Sequence, residues 1–236
     1  LVTGDPALVR EIARRTDLDA GRGISALRSV LGERSLITLD GEDHTGRRRL
    51  LAPLFSRQLE ALDEATTSAT LEALAELPVG EPFSTYDLAR RISLSAIVRF
   101  LLPGTPEEEA ETARLVEAYL LSCTSPWVLF LRPLRLPLGR WTPWGLARDR
   151  RRRLRRHLRE QVRAARSATD VPGGLAHIVR QGSDLPEEDL IDEAVALLLF
   201  GHDTAAASLA WAFAHLWSQP ETIERIRAEN EPGPYL

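Results

Sequence analysis

One stretch limits what this chain can fold into more than any other: Ala194–Trp217, AVALLLFGHDTAAASLAWAFAHLW. Wound as a helix it is apolar on nearly every side, and such a helix belongs in a protein core or in a bilayer. Its length suits a span of about 20 residues. However, His202 and Asp203 fall at its middle, where a carboxylate costs about 2.5–3.5 kcal/mol on insertion scales. A core helix is the expectation, and no membrane span is expected. Gly201, His202, Asp203 and Thr204 must then be satisfied inside the protein. A mid-helix threonine can bond the carbonyl four residues back, here Phe200. Gly201 weakens the same turn by roughly 1 kcal/mol relative to alanine. Glycine, acid and hydroxyl within one turn point to a local opening toward a ligand.

The remaining elements are mostly helical. Asp5-Pro6 is a helix start, with Asp as N-cap and Pro at the first helical position. Gly21–Gly32 reads as loop, Leu36–Leu39 as a brief β-prone run closed by Asp40-Gly41, and Glu42–Leu51 as helix. A helix over Arg57–Leu77 carries Leu59, Leu62, Ala69 and Leu74 near one face. Ser84 or Thr85 caps the next, which buries Leu88, Ile92, Leu94, Ile97, Phe100 and Leu101. Glu107–Ser122 is helical. Ser125–Gly145 holds Pro126, Pro133, Pro137 and Pro143 among Trp127, Phe130, Trp141 and Trp144, too many prolines for a helix interior. Arg148–Arg166 is helical, with Leu154, Leu158 and Val162 as its buried stripe. Leu175–Arg180 is a short helix. The long helix starts at Ser183–Glu188, stops before Pro220, and is followed by Glu221–Glu229. The fold class is mainly α, with no internal repeat and no linker.

Composition excludes disorder and a global affinity for nucleic acid: the 236 residues are 44% apolar, 27% charged and carry a net charge of −4. All 30 basic residues are arginine. Methionine is absent, so the N-terminal portion is expected to be missing from this chain. A single cysteine, Cys123, forms no internal disulfide and no multi-cysteine metal cluster, which fits a reducing cytoplasm. No metal-ligand spacing links His157, His177 and His215.

Beyond the central turn, two features can carry chemistry. His44 and Arg48 are four apart on a helix, so their side chains leave one face together and suit an anion; an exposed polar face beside Arg47 and Arg49 is the plainer reading. Arg148–Glu160 sets eight arginines against two acids. It can dock nucleic acid, anionic lipid or an acidic protein, although its apolar stripe marks an ordinary amphipathic helix with a solvated basic side.

Taken together, these residues resemble the cytochrome P-450 superfamily of haem-thiolate monooxygenases. Phe200-Gly201-His202-Asp203-Thr204 is similar to the family's central-helix motif, Ala/Gly-Gly-x-Asp/Glu-Thr. His44-Thr45-Gly46-Arg47-Arg48 is similar to the H-x-x-x-R of the helix that meets the haem propionates. The likeness covers essentially the whole chain. It departs at Phe200, where the family carries a small residue, and a ring there would narrow, redirect or block the substrate pocket. The family's E-x-x-R helix and F-x-x-G-x-R-x-C-x-G loop are absent from these residues. Residues 1–236 are therefore expected to be a partial P-450-like helical domain, truncated before that helix and that loop.

The resemblance implies the following. His44 and Arg48 neutralise the propionates of haem b, iron protoporphyrin IX. Gly201 lies in the cofactor-facing turn. Asp203 and Thr204 are the catalytic acid–alcohol pair that feeds protons to bound dioxygen. The iron's cysteine ligand lies beyond residue 236, and Cys123 is not that ligand. The complete, bacterial-type enzyme would insert one atom of O2 into an organic, largely apolar substrate, with electrons from a ferredoxin, flavodoxin-type protein or reductase; this chain alone would be inactive. No nucleic-acid partner is expected, and the setting is cytoplasmic. The alternatives are a haem-free remnant, or a helical interaction or nucleic-acid-binding module.

Overall fold

The computed structural model describes residues 4–15, 27–123, 142–167 and 171–228. Among them all regular structure is helical. The helices are α1 (Pro6–Arg14), α2 (Arg28–Leu31), α3 (Gly41–Arg57), α4 (Leu59–Ala75), α5 (Thr85–Leu101), α6 (Pro106–Cys123), α7 (Pro143–Ser167), α8 (Gly174–Gln181), α9 (Glu187–Trp217) and α10 (Pro220–Ala228).

Local chemistry sets several of the helix starts. Asp5 caps α1 by accepting from the Ala7 N–H at 2.9 Å, with Pro6 at the first position. Ser84 caps α5 by accepting from the Asp87 N–H at 3.2 Å. Helix α7 opens on Pro143, so Pro143 and Trp144 belong to its first turn and not to a loop. The rest of the proline-rich segment, 124–141, lies outside the described residues.

Besides the start of α7, four elements differ from the sequence expectation. Within Gly21–Gly32, expected as loop, Arg28–Leu31 forms α2, a turn ordered by the fully buried Leu31. Leu36–Thr38 is a single 3-10 turn, not a strand. Its β-prone residues find no partner strand among the described residues, and strand propensity means little without one. Helix α3 continues through Pro53 to Arg57. A proline there leaves the carbonyl of Arg49 without its helical donor, and Arg49 is exposed, where water can serve it. In α4 the buried stripe is Ala65, Ala69 and Ala73, while Leu59 and Leu74 face solvent. Three alanines at intervals of four let α4 lie close against α5.

The core is built around the first half of α9. Leu190, Ile191 and Leu198 are fully buried, together with Leu154, Leu158 and Val162 of α7 and Ile178 of α8. Val98, Phe100 and Leu101 of α5 close it from another side, and α5 is the helix against which α9 packs most extensively. By length and apolar composition α9 alone among the described helices could cross a membrane. Its first half is instead enclosed by protein and carries ionisable residues paired to arginines, as in a core helix. Its second half is open: Trp211 and Trp217 are 67% and 85% exposed, and Trp211 stacks on His215.

Glycine is required where α2 ends. Gly32 has φ +115°, and a Cβ there would lie 2.0 Å from the Asp192 carboxyl carbon. The backbone thus turns tightly around an α9 carboxylate. Gly32→Ala is expected to destabilise the fold by about 1–3 kcal/mol, read as a lowered thermal midpoint; an unchanged midpoint would show that this approach is not needed.

Candidate functional site

Helix α9 presents different chemistry on its two halves. The first half carries Glu187, Glu188, Asp189, Asp192 and Glu193, acids favoured by the helix N-terminus yet partly buried. Carboxylates leave water at a cost of several kcal/mol unless paired. Arg47 of α3, 5% exposed, donates to Asp189 at 2.8 Å and to Glu193 at 2.7 Å. A further donor on Arg47 reaches the Arg34 carbonyl. Arg34 adds its Nε to Asp189 and its backbone N–H to Asp192, and the Leu36 N–H donates to Glu193 at 2.7 Å. From α7, Arg155 binds Asp192 and Glu188, Arg159 binds Glu187 and Glu188, and Arg163 binds Glu187. Because every cation is a guanidinium, one side chain can serve two carboxylates at fixed angles.

This network reassigns the basic helix. Arg155, Arg159 and Arg163 stand at intervals of four and face the acids of α9. The arginine surplus of α7 is in part internal charge balance, which weakens the case for a nucleic-acid surface.

In the middle of α9 the helix continues without a break, so the opening lies on a face and not in the backbone. Each of the four central residues is accounted for. Gly201 lies against Ile97 of α5, where an added Cβ would meet Ile97 Cγ1 at 3.0 Å. His202 is fully buried, with Nδ1 2.8 Å from the Leu198 carbonyl. That contact needs the Nδ1–H tautomer and leaves Nε2 as a buried acceptor without a protein partner among the described residues. Thr204 Oγ1 donates to the Phe200 carbonyl at 2.6 Å, the back-bond expected of a mid-helix threonine. Asp203, half-buried, accepts from the Tyr86 hydroxyl at 3.3 Å. Gly201, Thr204 and Ala205 are exposed, so the hydroxyl's lone pairs face outward. Phe200 is half-buried and packs against the core cluster.

On α3, His44 is half-buried and Arg48 exposed, and neither side chain has a hydrogen-bond or ion-pair partner among the described residues. Arg47 and Arg48 are successive residues about 100° apart around the helix. One is spent on the core and the other is free for an external anion. No contact joins His44 or Arg48 to Asp203 or Thr204. The tie between α3 and α9 is Arg47, at Glu193, about 16 Å along the helix from Thr204. Sequence reasoning missed Arg47, Tyr86 and the acids of α9. The detectable signal was acids spaced three and four apart on an apolar helix, complemented by arginines with the same spacing on α7.

Burial shifts several further titratable groups. Cys123 is half-buried, and burial pushes its thiol up, the opposite of what a thiolate metal ligand needs. Burial lowers His157, whose Nε2 lies 2.8 Å from Thr112 Oγ1. Burial raises Glu193 to about 7 against the pull of Arg47.

The family model for cytochrome P450 matches residues 1–231. The chain belongs to the cytochrome P450 family. Among curated P450 relatives, a protein of Mycobacterium tuberculosis and M. bovis named "Putative cytochrome P450 138" is 32% identical over 99% of this chain and 54% of its own length. Cytochrome P450 137 of M. tuberculosis, also named there as putative, is 29% identical over 98% of this chain and 51% of its own. This chain thus spans about half the length of the P450 relatives it matches. The fold is that of solved P450 structures. OxyC, a P450 implicated in oxidative C–C coupling during vancomycin biosynthesis, superposes with a TM-score of 0.71 at 22% identity, covering 96% of this chain and 51% of OxyC. Retinoic acid-bound cyanobacterial CYP120A1 gives 0.69 at 22% identity, covering 87% and 47%.

Haem is the cofactor of this P450 family, and the residues fit its periphery: two unpartnered cationic or neutral donors on one face of α3, and an outward hydroxyl beside a carboxylate on α9. Cys123, its thiol raised by burial, does not suit a thiolate ligand.

Two outcomes follow from the buried network. Arg47→Met strands two carboxylates and is expected to cost about 3–5 kcal/mol of unfolding free energy, whereas Arg163→Ala, on an exposed side chain, changes it little. Glu193 is raised, so the stability tied to its neutral form is full below its ordinary value of 4.5 and is lost as pH rises through about 7. Denaturant titrations should therefore show wild type losing stability relative to Glu193→Gln across that window; parallel pH profiles would contradict the assignment.

Proposed function

We propose that this chain forms the oxygen-activating side of a haem-dependent monooxygenase that transfers one atom of O2 to an organic, largely apolar substrate. The observation that carries the reading is the Asp203–Thr204 pair. It places a half-buried carboxylate next in sequence to an outward hydroxyl on an otherwise apolar core helix. His44 and Arg48 would hold the two propionates of haem b. Bound haem would supply the iron centre at which dioxygen is reduced and cleaved. Its thiolate ligand is assigned to a cysteine outside residues 1–236, in keeping with the raised Cys123 thiol.

The chain's own residues do the proton work. Thr204 commits its hydrogen to the Phe200 carbonyl, so its oxygen can accept a proton-bearing neighbour and orient it toward the open face. Asp203 is the adjacent acid that reloads it. Gly201 keeps side-chain bulk out of this turn, and Phe200, held against the core, narrows the substrate space from one side. Electrons come from NAD(P)H through a ferredoxin, flavodoxin-type protein or reductase, and the setting is the cytoplasm.

In the complete haem enzyme, Thr204→Ala should keep haem and substrate binding but divert most consumed O2 to hydrogen peroxide or water. Unchanged product per O2 would remove Thr204 from the relay. The 236-residue chain mixed with haemin should give no thiolate-type spectrum with CO after reduction, and such a spectrum would contradict the ligand assignment.

A further inference from the structure

We propose that Tyr86 is a positioning residue for proton delivery: its hydroxyl, hydrogen-bonded to Asp203, holds that carboxylate where it is loaded from solvent before it serves Thr204. The proposal rests on the acid–alcohol reading of Asp203 and Thr204 and adds to it the point of entry.

Tyr86 is the second residue of α5, in a first turn fixed by the Ser84 cap. It lies 117 positions from Asp203 in sequence, and its Oη donates to Asp203 Oδ1 at 3.3 Å. Its side chain is 42% exposed while Asp203 is half-buried. Among the described residues the hydroxyl therefore faces solvent on one side and the carboxylate on the other. A hydrogen bond this long and exposed adds little to the packing of α5 on α9, which rests on apolar contacts such as Ile97 against Gly201. Its placement on the acid of the motif is what calls for a role.

A phenol can act at such a position because it is donor and acceptor at once. Its proton passes to the Asp203 carboxylate as its oxygen takes one from a hydronium ion of the solvent, which leaves as water. One proton moves from solvent to Asp203, tyrosine ends unchanged, and no electron is transferred. This needs a neutral phenol. Burial and then the Asp203 charge raise the Tyr86 phenol above its ordinary value, as does Asp87, while Arg90 pulls it down. Asp203 and Thr204 leave the helix about 100° apart. A carboxylate bonded to Tyr86 is thus turned toward α5, and it must swing or pass its proton through a water to reach the Thr204 side. Loading and delivery become two positions of one side chain, and Tyr86 defines the first.

Two measurements test this. In the 236-residue chain, the ring NMR signals of Tyr86 are followed against pH in wild type and Asp203→Asn, over the range in which circular dichroism stays constant. The Tyr86 titration should move downward in the variant; an unmoved Tyr86 overturns the proposal. In the complete haem enzyme, Tyr86→Phe should lower product per O2 consumed by about twofold to tenfold and enlarge the solvent deuterium isotope effect on that ratio, with KM for substrate unchanged. A merely structural tyrosine would not alter the isotope effect. If Thr204→Ala uncouples the enzyme and Tyr86→Phe does not, the acid–alcohol reading stands and the role of Tyr86 is refuted. If Thr204→Ala leaves coupling intact, the acid–alcohol reading fails and the proposal falls with it.

Discussion

The ion pairs of Arg47 with Asp189 and Glu193 are the constraint on which the rest of this structure depends. A carboxylate buried beside Leu190 and Ile191 stays folded only if a cation is delivered to it, and the donor must come from another helix. Arg47 does so from α3, Arg155 from α7, and the Arg34 and Leu36 backbone from the connecting turn. The acids of α9 thus tie three separate parts of the chain to one end of one helix. Replacing them by apolar residues could give a core of equal stability. What an apolar core would lack is direction, since guanidinium–carboxylate pairs hold at few angles.

Direction matters because the proposed chemistry sits elsewhere. The clamp is at Glu193, and the proposed acid–alcohol pair, Asp203 and Thr204, lies about three turns further along. The first half of α9 is clamped, and among the described residues its second half is exposed, with Thr204 on that exposed part. The same clamp fixes the roll of α3. Arg47 turned into the core leaves Arg48 turned out, so the face proposed to bind an anion is set by its buried neighbour.

Much of the fold was legible in the sequence. Caps at Asp5 and Ser84, the apolar periodicity of α5 and the Leu154–Leu158–Val162 stripe are local signals that tertiary structure reinforced. Leu36–Leu39 misled because strand propensity is realised only against a partner. Pro53 did not end α3 because the carbonyl it deprives is at the surface. The α4 stripe held at Leu62 and Ala69 but failed at Leu59 and Leu74, because large apolar residues draw attention while alanines do the close packing. For the site, the Asp203–Thr204 and His44–Arg48 patterns were visible as motifs. Arg47 and Tyr86 were not, because adjacent arginines look alike in sequence and a contact between residues 117 apart has no local signature.

The central claim is that one ligand, haem, meets both the α3 face and the open turn of α9. Its most direct test is paramagnetic broadening of NMR signals on titrating the chain with ferric haemin. Signals of His44 and Thr204 should broaden together and saturably, with the outer arginines of α7, Arg152 and Arg156, unaffected. Broadening confined to the α7 arginines, or spread evenly over the surface, would contradict the account.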